Sequence, residues 1–137
     1  MPYEEEDPPR FDPPPELNEL TQAVIGAAIE GHRALGPGLD EAAYESALAI
    51  ELRLRGVPFA RQVIVDVYYK GEKVGDRRVD FIVDRKLVVE LKSIEELAAV
   101  HKAQVNTYLK LTKLQLGLLI NFNTALLKDG IKRIIRA

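Results

Sequence analysis

Two acids and a lysine in the middle of the chain have the types and spacing of a hydrolytic metal centre. Glu90 and Lys92 lie two residues apart in an apolar run, so on a β-strand both point to the same face as Val88. Asp80 lies in the preceding strand-like segment, and two facing carboxylates repel unless a cation lies between them. Their oxygens suit Mg²⁺ or Mn²⁺, which acidifies water and polarises a phosphoryl oxygen. If a metal binds there, Lys92 would position that water or stabilise developing negative charge, and the three residues would be suited to phosphodiester hydrolysis.

The same charges also occur on ordinary strands that face solvent. Ion pairs on exposed surfaces are frequent and weak. An acid such as Asp80 that is followed ten residues later by Glu90 and Lys92 therefore does not by itself identify a metal site. The two interpretations differ in whether the strands bring the acids together.

A hairpin is predicted to bring the two acids face to face. Residues 84–86 form a turn, and a three-residue loop there pairs Val83 with Leu87. Asp80 then falls directly opposite Glu90, with Cβ atoms roughly 5 Å apart. The predicted elements are helices at 17–35, 41–55 and 95–111 and strands at 62–68, 77–83, 87–92, 115–121 and 131–135, with a turn at 70–73.

The order of these elements predicts an α/β fold with one mixed sheet. Residues 115–121 are a continuous apolar run, typical of a strand that is buried on both faces and reached by a helical crossover. The three preceding strands are joined by short turns and therefore form an antiparallel meander. We expect a central sheet made of this meander plus the crossover strand, flanked by helices.

The first sixteen residues differ in composition from the rest of the chain. Residues 1–16 hold six acids, one base and six prolines, so we expect a disordered tail there. Residues 17–137 are long enough for one domain with its own core, and they carry a net charge of +3, against −2 for the whole chain. A mildly basic domain permits nucleic-acid binding without requiring it.

Composition excludes several classes of site. The chain contains no cysteine, which excludes disulfides, thiol nucleophiles and Cys-ligated metals. No apolar run approaches the roughly 20 residues of a membrane span, and the N-terminus lacks the pattern of a signal peptide. We therefore expect a cytoplasmic protein with no membrane partner.

Blocks along nearly the whole chain resemble one family of nucleases. The segment Gly38-Leu39-Asp40-Glu41-Ala42-Ala43-Tyr44 is similar to the signature of the GxxExxY proteins, a branch of the PD-(D/E)XK nuclease superfamily. Further blocks that resemble this family follow in the expected order at 78–83, 88–92, 104–108 and 117–122. The resemblance implies a restriction-endonuclease-like core, Mg²⁺ or Mn²⁺ as the cofactor, and DNA or RNA as the partner.

The resemblance also implies roles for individual residues of the strands. Asp80 and Glu90 match the metal ligands of the superfamily, and the backbone carbonyl of Leu91 is a candidate third ligand. Lys92 matches its catalytic lysine.

Five residues outside these strands are further candidates, each with a structural explanation as well. Glu41 matches an acid that the superfamily often donates from its first core helix, although the helix dipole also explains an acid there. Gln104 matches a glutamine used near the site by related nucleases, although a buried structural hydrogen bond explains it equally well. Tyr44, Tyr108 and His32 are weaker candidates, because packing in the core or a position near a helix end is enough to explain these residue types.

Two functions are compatible with this sequence. The first is a metal-dependent nuclease, and the alternative is a module with the same fold that binds nucleic acid or a protein partner without cleaving. The two functions differ in metal dependence: Mg²⁺ or Mn²⁺ should raise the thermal stability of a nuclease, whereas it should not raise that of a non-catalytic module. Because a single small domain has little surface with which to hold a duplex, we also expect a homodimer.

Overall fold

The computed structural model describes residues 11–137, which form a five-stranded sheet with helices on both faces. The helices are α1 (Pro15–Leu35), α2 (Glu41–Leu54) and α3 (Ala99–Thr112), and the strands are β1 (Phe59–Tyr69), β2 (Glu72–Val83), β3 (Leu87–Lys92), β4 (Leu116–Asn121) and β5 (Ile131–Ile135). A short 3₁₀ helix, Leu127–Gly130, precedes β5. In the described range, no helix combines the length and the apolar character that a membrane span requires.

The sheet has the mixed topology that the sequence predicts. Its strands follow the order β1-β2-β3-β4-β5, and β3 and β4 run parallel while the other neighbouring pairs are antiparallel. Helix α3 makes the crossover, and all six residues of β4 are buried. Val83 pairs with Leu87, which confirms the three-residue loop. The predicted α/β fold is therefore confirmed.

Strand β3 separates two apolar layers. Leu87, Val89 and Leu91 pack in the layer formed with α1 and α2. Val88 packs in the other layer, which contains residues of α3. Because side chains alternate along a strand, Glu90 points to the same side of the sheet as Val88, which is the α3 side.

The turn between α1 and α2 positions the first residue of α2. Gly36 and Gly38 have φ angles of 71° and 103°, in the left-handed region that favours glycine. Asp40 then caps α2, because its side chain accepts a hydrogen bond from the N–H of Ala43 at 3.0 Å. These local contacts place Glu41 at the start of the helix.

Helix α1 begins earlier than predicted. Its first residues are Pro15 and Glu16, which the sequence pattern had placed in the tail. Proline is accepted in a first helical turn because its missing N–H would have no helical partner there. Phe11 also packs against the layer formed by α1 and α2. The tail therefore does not extend to residue 16, and its residues 1–10 lie outside the described residues.

Helix α3 begins later than predicted, at Ala99 instead of Glu95. The buried side chain of Asn121 accepts a hydrogen bond from the N–H of Ile94 at 3.1 Å and donates one to the carbonyl of Ile94 at 2.9 Å. These two bonds tie the segment after β3 to the end of β4. The N–H and C=O of Ile94 are thus used in a tertiary contact instead of a helical turn.

The hairpin of β1 and β2 is longer than predicted. Its turn consists of Lys70 and Gly71, whose φ angles are 49° and 81°, and Glu72 and Lys73 belong to β2. Positive φ at both central positions is typical of a two-residue turn that matches the twist of the strands. The predicted four-residue turn at 70–73 is therefore wrong.

Candidate active site

The candidate site lies where β2 separates from β3. The ladder between these strands ends at the pair Phe81 and Val89, one position before Asp80 would face Glu90. The Asp80 carboxylate instead accepts a hydrogen bond from the N–H of Leu91, with Oδ2 at 2.9 Å. The side chain of Asp80 thus replaces the backbone carbonyl that would accept the next hydrogen bond of the ladder. It lies in the gap where β2 and β3 diverge, which we call the fork.

Glu90 meets Asp80 from the α3 side of the sheet. Only 3% of Glu90 is exposed. Its burial, followed by the hydrogen bond and the negative charge of Asp80, raises the pKa of Glu90 to about 9, while the charge of Lys92 opposes this shift. Within residues 11–137 neither carboxylate has an ion-pair partner. Among the described residues, the two acids therefore form a close pair that is not joined to a cationic side chain by an ion pair.

The backbone of Leu91 faces the same fork. A strand residue directs its N–H and its C=O to the same neighbouring strand, and the N–H of Leu91 points to Asp80. Leu91 and Asp80 also line a cleft of about 170 Å³ together with Glu41, Ala42, Glu45 and Gln62. The Leu91 carbonyl and the Asp80 carboxylate can thus present oxygen atoms to one ligand.

The oxygen atoms at the fork fit a hard divalent cation. Mg²⁺ and Mn²⁺ prefer oxygen donors, and Mg²⁺ is commonly held by one or two carboxylates plus water and phosphate. In the part of the chain that the structure describes, no three His, Cys, Asp or Glu side chains are close enough to hold an ion by themselves. Asp80 and Glu90 would therefore need the carbonyl of Leu91, water or substrate to complete the coordination.

Helix α3 adds a polar pair beside Glu90. Gln104 donates a hydrogen bond to the hydroxyl of Tyr108 at 2.8 Å. Burial, followed by the negative charge of Glu90, raises the pKa of Tyr108 to about 12. The tyrosine therefore stays protonated and lies within electrostatic reach of Glu90, and it connects Gln104 to the site.

Glu41 lies on the opposite side of the cleft, at the start of α2. Its carboxylate accepts a hydrogen bond from the N–H of Ser93 at 3.4 Å, and the Ser93 hydroxyl donates to the carbonyl of Leu39 at 2.6 Å. Glu41 therefore shares the cleft with Asp80, but its hydrogen bond is to the segment that follows β3.

A model of the PD-(D/E)XK nuclease superfamily matches residues 18–134. The chain belongs to this superfamily. Comparison with curated proteins and with solved structures finds no match.

Two of the predicted candidates lie away from the cleft of this PD-(D/E)XK domain. The Tyr44 hydroxyl donates to the carbonyl of Gly36, and its ring stacks on Phe122 with centroids 4.4 Å apart. His32 is buried, and its Nε2 lies 2.8 Å from the carbonyl oxygen of Thr124. Both side chains therefore hold the ends of helices and loops together.

The PD-(D/E)XK cleft also contains residues that the sequence pattern does not single out. Glu45 follows Glu41 by one helical turn, a spacing that places both on the same face of α2. That spacing was the available signal for Glu45. Gln62 in β1 reaches the cleft from a distant part of the chain, and no local pattern indicates its role.

Proposed function

We propose that this protein is a Mg²⁺- or Mn²⁺-dependent nuclease that hydrolyses phosphodiester bonds of DNA or RNA. The main support is the pair of Asp80 and Glu90 at the fork of β2 and β3, neither of which forms an ion pair within residues 11–137; the pair lies beside the backbone of Leu91. Nucleases of the PD-(D/E)XK superfamily generally use such divalent ions. The chemistry of the donor atoms and the family thus point to the same cofactor.

Each site residue has a role that follows from its position. Asp80, Glu90 and the Leu91 carbonyl would hold the ion, which supplies positive charge to phosphoryl oxygens and acidifies water. Lys92 follows on the same strand and presents a cation to the attacking water or to the charge that develops on phosphate.

Glu41 and Gln104 complete the site from its two sides. Glu41 lines the cleft from α2 and would orient water or substrate next to Asp80. Gln104 would fix the hydroxyl of Tyr108, which in turn lies beside Glu90. Neither role requires direct contact with the ion.

Within the superfamily, we infer that the chain is a GxxExxY protein. The signature residues have three distinct tasks: Gly38 adopts φ of 103° in the turn, Glu41 enters the cleft, and Tyr44 binds the turn through its hydroxyl. This division explains why one short motif would combine a glycine, an acid and a tyrosine at these spacings.

The proposed substrate agrees with the charge of the domain. Residues 17–137 carry a net charge of +3, which favours contact with phosphates. A homodimer, which would double the contact surface, stays a prediction that light scattering after size exclusion can check.

The proposed function is tested by calorimetric titration of Mn²⁺ into the wild-type protein beside a cleavage assay. Single- and double-stranded DNA and RNA serve as substrates, each with Mg²⁺, Mn²⁺ or EDTA. We expect Mn²⁺ to bind and cleavage to require the ion. Ion binding without cleavage of any substrate, or nucleic-acid binding without ion binding, would instead support the non-catalytic module.

Replacing Lys92 with methionine is expected to lower the cleavage rate by on the order of 10²-fold. Mn²⁺ affinity at about pH 7 should also fall, because the charge of Lys92 opposes the raised pKa of Glu90 and a proton competes with the ion. Raising the pH should recover part of the Mn²⁺ affinity, because more Glu90 becomes ionised, but not the rate.

Lys86→Met is the matched control for this substitution. Lys86 lies in the turn at the other end of β3 and pairs with Asp84 at 3.5 Å, so its loss should leave both measurements unchanged. Equal cleavage rates for Lys92→Met and the wild type would show that Lys92 has no role in cleavage.

A further inference from the structure

Gln62 has an unusual backbone conformation in the middle of β1. Its φ is 50°, in the left-handed region that costs free energy for a residue other than glycine. The ladder of β1 and β2 pairs Arg61 with Phe81 and then Val63 with Val79, so Gln62 lies opposite Asp80 at an interruption of the pairing. The strained residue thus faces a proposed metal ligand.

The side chain of Gln62 connects two carboxylates. Its Nε2 donates to Oδ1 of Asp80 at 3.5 Å and also to Oε1 of Glu45. The other oxygen of Glu45 accepts a hydrogen bond from Arg61 at 2.9 Å, and the Glu45 side chain is only 16% exposed. Arg61 and Glu45 therefore brace Gln62 in this position.

Asp80 is consequently held from two sides. The N–H of Leu91 binds its Oδ2, and the amide of Gln62 binds its Oδ1. A carboxylate with a partner on each oxygen has a defined plane, and hydrogen bonds of this kind orient metal-binding groups. With only one of the two partners, the carboxylate could rotate about its remaining hydrogen bond.

We propose that Gln62 is a positioning residue that, braced by Glu45 and Arg61, orients Asp80 toward the metal. This inference rests on the proposed function of Asp80 as a ligand. It also explains the backbone of β1: the positive φ at Gln62 accompanies an amide that reaches both Asp80 and Glu45. Glycine at this position would relieve the strain but would remove the amide.

The test compares Gln62→Gly and Gln62→Asn with the wild-type protein. In Gln62→Gly, Mn²⁺ affinity should fall by about tenfold although thermal stability is equal or higher. Gln62→Asn, which tolerates positive φ and keeps an amide, should lose less affinity. If Gln62 had only a structural role, its substitution would instead change thermal stability and leave Mn²⁺ affinity unchanged.

Hydrogen exchange in EDTA gives a second readout that requires no metal. If Gln62 orients Asp80, the Leu91 amide should exchange several-fold faster in Gln62→Gly, with the amide of Leu118 in β4 as an internal reference. Lys113→Gly is the matched control, because Lys113 has φ of 61° at the end of α3. It should relieve similar strain without changing Leu91 exchange or Mn²⁺ affinity.

The two readouts separate failure of this inference from failure of the proposed function. Wild-type protection of Leu91 in Gln62→Gly would overturn the positioning role, whether or not the protein binds metal. If Mn²⁺ binds to the wild type and to Gln62→Gly with equal affinity, the positioning role is likewise wrong while the metal site stands. If Mn²⁺ does not bind to the wild type, the proposed function fails and Leu91 exchange still decides whether Gln62 orients Asp80.

Discussion

Replacing Asp80 with asparagine is expected to lower Mn²⁺ affinity by at least a factor of about 100 and the cleavage rate by on the order of 10³-fold. Asparagine has nearly the same shape, and its carbonyl can still accept the hydrogen bond that Leu91 donates to Asp80. The substitution therefore removes a charge and one oxygen donor, and with that oxygen it removes the hydrogen bond from Gln62, while the hydrogen bond from Leu91 is kept. Calorimetry measures the affinity, and a single-turnover cleavage assay measures the rate.

Asp84→Asn is the control for this prediction. Asp84 lies in the turn between β2 and β3, at the far end of β3, and pairs with Lys86. Its substitution should leave affinity and rate unchanged. The pKa of Glu90 should also fall in Asp80→Asn, because Asp80 contributes to raising it. Full cleavage activity in folded Asp80→Asn would show that the chemistry, if present, lies elsewhere.

The sequence predicted the hairpin that carries Asp80 and Glu90, because strand period and loop length are local properties. A three-residue loop after Val83 sets the register, and the structure has that register. The sequence could not predict that β2 and β3 are paired only from Phe81 to Val83 and have already separated at Asp80. At that point Val79 packs in the α3 layer while Phe81 packs in the opposite layer, so the alternation of side chains along β2 is interrupted at Asp80.

The residues that the sequence missed depend on long-range contacts. Gln62 reaches the cleft because of a positive φ that no glutamine propensity would suggest. Asn121, at the end of β4, holds the segment before α3 by binding Ile94, which lies 27 residues earlier in the chain. In both cases the decisive partner is distant in sequence, so no local pattern contains the information. The roles of Glu41, Lys92 and the other site residues stay predictions.

In EDTA, the free energy of unfolding of the wild type is expected to fall relative to Glu90→Gln as the pH rises from about 5 to about 8. The pKa of Glu90 is about 9 in the folded protein, against an ordinary value of 4.5 in the unfolded chain. Between these values the folded state keeps a proton that the unfolded state has released. The contribution of Glu90 to stability is therefore complete below pH 4.5 and is lost progressively up to about pH 9.

The slope of this loss is at most about 1.4 kcal/mol per pH unit for one proton. Urea unfolding followed by circular dichroism at several pH values measures it. Glu90→Gln keeps a neutral side chain of the same size at all pH values, so the difference between the two proteins isolates the titration of Glu90. Glu96→Gln, at an exposed position, should keep the wild-type slope. Equal slopes for the wild type and Glu90→Gln would show that Glu90 is ionised in the folded protein.

Added Mn²⁺ should act in the opposite direction to the pH effect and so separates a metal site from an acid that is merely buried. The ion requires the ionised form of Glu90, so its binding displaces a proton and its affinity should rise up to tenfold per pH unit below the pKa of Glu90. The stabilisation that saturating Mn²⁺ gives to the wild type should therefore increase with pH, whereas Glu90→Gln should gain little at any pH. A buried acid without a metal role would show the EDTA slope in both conditions.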